Sequence, residues 1–245
     1  MPDFQSRDPL SPAFWDERFE QQFTPWERGG VPRRLQRFVL DAAKSEAKPG
    51  VRPTGLTPAF ALDLAVSGTC PTGLDVPVKT PDFASDLSVA MAPTVLIPGC
   101  GSARELAFMC DAGWDATAID FSPAAVATAR QAAGRWQDRV VQADFFSYEP
   151  PRPLQLIYEQ AFLCAMPRAL WPQVAMRWAQ LLAPGALLAG YFFFDDALKG
   201  PPFGIARAQL DALLAPYFVC VEDESVDDSV PVFSGKERWL AWSRL

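Results

Sequence analysis

The stretch VLIPGCGSARELAFMCDAGWDATAID, Val95 to Asp120, constrains the architecture more than any other part of the chain. An apolar run meets a turn carrying Gly99 and Gly101, a helical pattern follows, and a second short run closes on Asp120. Strand, glycine turn, helix and strand in that order are the unit from which parallel sheets are built. The pattern continues downstream. SPAAVATARQAAG predicts a helix with Ser122 as N-cap and Pro123 at its first position, and RVVQAD and LQLIYE predict strands. ALWPQVAMRWAQLLAPG predicts a helix, ALLAGYFFF a strand, RAQLDALLAPY a helix, and FVCVEDE and ERWLAWSR two closing strands. Alternating elements of this kind give an α/β fold, Rossmann-like, with a seven-stranded mostly parallel sheet covered by helices on both faces. The last two strands have no helix between them and predict an antiparallel C-terminal hairpin at the sheet edge.

Ahead of this core, SPAFWDERFEQQF predicts a helix capped by Ser11 and started by Pro12, with Phe14, Trp15, Phe19 and Phe23 along one stripe. TPWERGG reads as a turn, and a second helix is expected from Pro32 to Lys44. Seven prolines then fall between Pro49 and Pro93, where charge is sparse. The expected organisation is a single domain over 1–245: an N-terminal helical cap (1–44), a proline-rich insertion or lid (45–93) with a short helix near Pro58 to Val66, and a core (94–245).

Composition excludes several chemistries. The 245 residues contain no histidine, which removes His-based triads, His general bases and His metal sites. The five cysteines, Cys70, Cys100, Cys110, Cys164 and Cys220, form no CxxC pair, so neither zinc nor a disulfide framework is indicated. No metal is expected. A net charge of −7 argues against nucleic acid as a partner, and Arg33, Arg34 and Arg37 read as a solvated helix face rather than a basic patch. The acidic run Glu222 to Ser229 likewise reads as a solvated loop. No apolar run reaches the length of a membrane span, and the start lacks the layout of a signal peptide, so a cytoplasmic location is expected.

The glycine turn points to a nucleotide-like cofactor. Small residues at a strand's carboxyl end admit a ligand, the helix that follows is expected to offer free N–H groups to a carboxylate or phosphate, and Asp120 ends the next strand, where an acid accepts from ribose hydroxyls. A dinucleotide site wants a third glycine, where this chain has Arg104. The count therefore favours S-adenosyl-L-methionine (SAM), with S-adenosyl-L-homocysteine (SAH) as product; an NAD(P) oxidoreductase is the reading it displaces. Phe121 can lie against adenine, and Asp144, followed by Phe145, ends the third strand where a carboxylate can accept from the adenine amino group. The aromatic run Tyr191 to Phe194 is first a buried strand, though Phe192, Phe193, Phe194, Phe203 and Trp171 could wall an acceptor pocket.

The chain resembles the thiopurine S-methyltransferase family of class I SAM-dependent methyltransferases, and especially its thiol and halide methyltransferase branch. The matching pieces, in family order, are FWDERFEQQFTPWERGG, VLIPGCGSARE, AIDFSPAAV, QADFF, IYEQAFLCAMP, KGPPF and GKERW. The resemblance implies that the cap folds over the cofactor, with Trp15 and Trp26 helping to bury it and Thr24 beside them. It extends the cofactor-binding set to Gly99, Cys100, Gly101, Glu105, Asp120, Phe121, Ser122, Asp144, Phe145 and Glu159. It places Gln160, Phe162 and Phe203 at the acceptor. A thiopurine-type enzyme carries arginine where this chain has Gln160. The implied reaction is direct displacement of a methyl group from SAM by a small-molecule acceptor, a thiol first, with sulfide or halide close to it. The alternatives are O- or N-methylation of a small metabolite, or a non-catalytic SAM-binding protein. If a base assists, Glu159, Tyr158 and Tyr191 are the strand-end candidates; a monomer or homodimer is expected.

Overall fold

The computed structural model of the chain describes residues 4–46, 92–197 and 199–245. The insertion expected over 45–93, with its short helix, falls almost wholly outside the described residues.

The core strands follow the sequence closely. β1 (Thr94–Pro98), β2 (Asp115–Asp120), β3 (Val140–Gln142), β4 (Leu154–Gln160), β5 (Leu182–Phe193), β6 (Phe218–Ser225) and β7 (Glu237–Arg244) form one sheet in the order β3-β2-β1-β4-β5-β7-β6. The first five strands run parallel, while β7 is antiparallel to both β5 and β6. β7 thus slots between its two partners, and the edge strand is β6.

Helices cover both faces. α3 (Arg104–Asp111) and α4 (Pro123–Ala133) pack Leu106, Met109, Val126 and Ala129 with Val95, Ala116 and Ala118. The opposite face is packed by α5 (Trp171–Leu181) and α6 (Arg207–Leu214), with Trp178 and Leu210 fully buried beside Leu96, Leu188 and Phe192. Ser122 caps α4 as its spacing predicts, accepting from Ala125 N at 3.1 Å. Helix α5 stops earlier than expected, at Leu181, and β5 begins at Leu182. Pro184 is the reason: a proline disfavours the helical conformation in the residue before it and offers no N–H of its own.

The cap contains α1 (Pro12–Glu20) and α2 (Arg33–Glu46). Helix α2 buries Leu35 and Val39, and its Phe38 ring lies 5.4 Å from Trp239 on β7. Arg33 and Arg37 lie on a solvated face as expected, but Arg34 is turned inward, and the acidic run is not a free loop. Arg34 pairs with Glu222 and, at 3.0 Å, with Glu224; Arg37 also pairs with Glu224, and Arg33 with Asp227 at 2.9 Å. Each run supplies the other's counter-ions, and the two lie nearly two hundred residues apart in sequence, beyond the reach of a local reading. The Arg34 guanidinium also sits 4.6 Å from the Trp239 ring centre.

These pairs differ in burial, and so in energy. The Arg34 side chain is 10% exposed and that of Arg33 is 68% exposed. Arg34→Ala removes two ion pairs made by a side chain largely withdrawn from water, with Arg37 still meeting Glu224 and Trp239 Nε1 still donating to Glu222, and is expected to lower unfolding free energy by about 1.5–3 kcal/mol. Arg33→Ala is expected to change it by no more than about 0.5 kcal/mol. Urea denaturation of both variants checks the contrast, and equal losses would contradict it.

Candidate functional site

Between β1 and β4 the sheet order reverses, and in open α/β sheets ligands bind in the crevice beyond the carboxyl ends of the strands at that point. A cavity of about 1090 Å³ lies there, roofed by α1 and the turn after it. This is slightly above the roughly 300–1,000 Å³ usual for small-molecule sites.

The floor is the turn after β1. Gly99 and Gly101 take φ values of +55° and +51°, and Ala103 takes +47°, a left-handed conformation that costs an L-residue about 1–2 kcal/mol. Space demands the glycines as well as torsion. A Cβ on Gly99 would lie 2.5 Å from the Phe162 ring, and one on Gly101 would collide with the Glu27 carboxylate.

The N–H groups of residues 100–103 are each in use within the protein. Cys100 N donates to Ile119 O at 3.0 Å, and Gly101 N to Asp120 Oδ2 at 3.1 Å. Ser102 N donates to Glu27 Oε1 at 3.1 Å, and Ala103 N to Cys100 O at 2.8 Å. Ser102 Oγ completes the grip on Glu27. The surface the turn offers a ligand is therefore carboxylate and glycine Cα, not amide N–H. Such a surface suits a pyrophosphate poorly.

Asp120 is 7% exposed and also accepts from Ser122 N at 2.9 Å. Burial raises its pKa to about 6, against the opposing N–H bonds from Ser122 and Gly101. Glu105 is raised to about 7, again by burial. Phe121, Asp144 and Phe145 line the cavity on the β2–β3 side, with the Phe145 ring 4.8 Å from that of Phe162. In the roof, Trp15 and Trp26 meet edge to face at 5.6 Å, and Trp15 Nε1 is anchored on Pro9 O at 2.8 Å.

A polar group lies beside β4. With the Gln160 amide oriented to satisfy both its ends, its nitrogen lies 3.1 Å from Glu105 Oε1 and 2.6 Å from Tyr158 Oη, while its oxygen accepts from Arg28 Nε at 3.2 Å. Arg28 is buried and held by Glu237 at 2.8 Å, with its guanidinium 4.3 Å from the Tyr191 ring centre. All four residues of the group, Glu105, Gln160, Tyr158 and Arg28, line the cavity.

Most of the expected site residues converge on this space: Trp15, Trp26, the residues of the glycine turn, Glu105, Asp120, Phe121, Asp144, Phe145, Tyr158, Gln160 and Phe162 all line it. Five do not. Glu159 is 2% exposed and turned beneath the crevice, accepting from Phe162 N at 3.1 Å and Leu163 N at 3.2 Å; burial lifts its pKa to about 8. Tyr191 is buried in the sheet under Arg28. Thr24 closes the cap turn by accepting from Glu27 N through its carbonyl, and Ser122 is occupied with capping. Phe203 packs against Gly200 and beside a small void with Trp171, Phe192 and Phe193, so these aromatics form core rather than an acceptor wall. Pro201 and Pro202 of the same segment reach the cavity instead. The reason is strand alternation and depth: β5 is a central strand with both faces covered.

Sequence reasoning passed over Glu27 and Arg28, though both sit in the quoted TPWERGG turn. Their type was the available signal, since charged residues between a tryptophan and two glycines rarely belong to a core. Among the described residues, no group of three or more His, Cys, Asp or Glu is arranged to hold a metal ion, and no helix is long and apolar enough to cross a membrane.

Comparison with known proteins agrees with this geometry. The sequence model described as Thiopurine S-methyltransferase (TPMT) matches residues 75–244, more than half of the chain. Thiocyanate methyltransferase 1 of Arabidopsis thaliana is 27% identical over 156 residues, covering 61% of this chain and 69% of the relative. Probable thiol methyltransferase 2 of the same plant is 27% identical over 186 residues, covering 73% and 81%. Among solved structures, the chain is similar in fold to a Burkholderia thailandensis 1,6-didemethyltoxoflavin-N1-methyltransferase with bound 1,6-didemethyltoxoflavin and S-adenosylhomocysteine. That match has a TM-score of 0.51 at 20% identity, over 62% of this chain and 72% of that one.

The turn geometry makes its own prediction. Gly113 has φ +88° with no atom within 4 Å of where a Cβ would stand, whereas Gly101 pairs positive φ with a collision. Gly113→Ala is expected to cost only the backbone strain of about 1–2 kcal/mol, and Gly101→Ala that strain plus the Ser102 hydrogen bonds lost when the Glu27 carboxylate is pushed aside. Thermal or urea unfolding of the two variants checks the order.

Proposed function

The chain belongs to the thiopurine S-methyltransferase family, and from that premise we propose that it is a SAM-dependent methyltransferase that methylates the sulfur of a small thiol, or a comparably soft sulfide or halide acceptor. The observation that carries the reading is Asp120. Its buried carboxylate ends β2, next to β1 at the switch point, and accepts from the N–H of Gly101 in the glycine turn.

The residues present fit the cofactor. Asp120 would hold the ribose, since a carboxylate offers about four lone-pair positions and two are used by the N–H groups of Gly101 and Ser122. Phe121 and Phe145 would flank the adenine, with Asp144 at its edge. Trp15 and Trp26 would close over the sulfonium, and an aromatic face stabilises a nearby cation by about 0.5–2 kcal/mol. When bound, the cofactor supplies a methyl group already activated by its positive sulfur.

What the chain then contributes is alignment and exclusion of water. Orientation of two reactants is worth up to about 7–11 kcal/mol in the best cases. The aromatic roof and the Pro201–Pro202 rim supply the dry walls. A thiol with a pKa of about 8.5 is already a few per cent thiolate near neutrality, so the acceptor needs little proton management. Tyr158, Gln160 and Arg28 are the polar groups placed to orient it. Glu159 faces away from this space and supports the turn after β4 rather than taking a proton.

Binding of SAH by calorimetry tests the reading. Asp120→Asn is expected to weaken it about 10–100-fold, the loss of hydrogen bonds to a charged acceptor. Absence of SAH binding, or no effect of the substitution, would remove the proposal. Labelled SAM offered with thiol, sulfide, halide, phenol and amine acceptors then identifies the nucleophile; methyl transfer to phenol or amine alone would replace sulfur by oxygen or nitrogen.

The buried acids also set a pH dependence. Asp120 and Glu105 titrate at about 6 and about 7 in the free protein. A ligand that donates hydrogen bonds to a carboxylate, or carries positive charge, favours the ionised form and lowers these values on binding. The gain is fully present above the free pKa and is lost as pH falls through it. SAH affinity is therefore expected to be level above about pH 7.5 and to weaken steadily toward about pH 5.5.

A further inference from the structure

We propose that the Glu27 carboxylate, carried by the N-terminal cap, is the seat for the α-ammonium group of the cofactor's amino-acid tail; the inference rests on the reading of the cavity as a SAM site.

Three observations lead there. The N–H groups of residues 100–103 are each satisfied within the protein, and what this part of the turn presents instead is the Glu27 carboxylate. Of a tail with one anionic and one cationic end, it is the cationic end that such a surface attracts. Second, the Glu27 carboxylate lies on the cavity side of Gly101, in the volume a Cβ would take, and it lines the cavity. The chain keeps a glycine at this place and fills the gap with an acid from another element. Third, among the described residues no lysine or arginine forms an ion pair with Glu27, although burial raises its pKa; its partners are the N–H and hydroxyl of Ser102. Arg104, whose charge acts on it, is exposed. A carboxylate half withdrawn from water and held by one serine gains from a counter-charge. With two oxygens and about four lone-pair positions, it can keep Ser102 and still accept from an ammonium group.

The assignment has a consequence for the cap. Glu27 follows the roof residue Trp26 directly, so contact with the ammonium group ties the roof to the tail of the cofactor and not to its nucleoside alone.

Calorimetry with two probes separates this from a shaping role. The probes are SAH and its des-amino analogue, in which hydrogen replaces the ammonium group, titrated into the wild type, Glu27→Gln and Asp120→Asn. The wild type is expected to bind SAH about 10–100-fold more tightly than the analogue. In Glu27→Gln the preference should collapse, through weaker SAH binding with analogue binding unchanged within about twofold. Equal loss on both probes, or no loss, overturns the assignment. So does a wild type without preference, a result that needs no variant to fold. If the wild type binds neither probe, or Asp120→Asn leaves both affinities intact, the cofactor reading falls and takes this inference with it. A loss of both probes in Asp120→Asn with no preference in the wild type sinks the Glu27 assignment alone.

Discussion

The structure turns on one carboxylate shared between two turns. Asp120, at the end of β2, accepts from Gly101 N in the turn after β1 and from Ser122 N at the start of α4. These contacts fix the spacing of two strand ends and two helix starts around the crevice. Everything that lines the cavity floor is positioned relative to that group. Its burial raises its pKa, so the same group that organises the floor is poised to change charge near neutrality.

The cap repeats the device from outside. Asp16 on α1 accepts from Ser122 Oγ at 2.5 Å and from Ala124 N at 3.0 Å, while Glu27 accepts from Ser102. Two acids of the N-terminal segment thus sit on the N-terminal ends of α4 and of the turn leading into α3, where partial positive charge is concentrated. At the other side of the sheet, arginines of the same segment meet the acids of β6 and the loop after it, and Arg28 reaches Glu237 on β7. A short segment is therefore attached to the core by polar contacts of both signs. The rest of its hold is apolar, through Leu35, Val39 and Phe38.

Much of this was legible in the sequence, for identifiable reasons. Strand β1 is a continuous apolar run and β2 and β4 are short, mostly apolar runs that end at turns, while α1 and α4 both have serine at the N-cap position and proline next, although only Ser122 makes the capping bond and Ser11 makes none. Asp120 and the two glycines could be placed because a strand end is a place in the fold. What was not legible depends on direction or distance. That Glu159 turns under the sheet while its neighbours Tyr158 and Gln160 reach the cavity follows from alternation combined with a tight turn at Ala161, which has φ +58°. The pairing of Arg34 with Glu222 and Glu224 joins segments remote in sequence, and nothing in either run names the other. The partner of Ser102 N is Glu27, which arrives from the cap, so a reading of the turn alone leaves that donor open where the folded chain has it bonded.

The roof over the crevice is part of the same stretch that caps two helix starts and bridges to the far edge of the sheet. A truncated chain beginning at β1 would keep every parallel strand yet lose the partners of Ser102, Ser122 and Glu237 together. The boundary between cap and core is thus a landmark of sequence only. Polar and apolar contacts cross it, and the segment ahead of β1 forms a wall of the cavity.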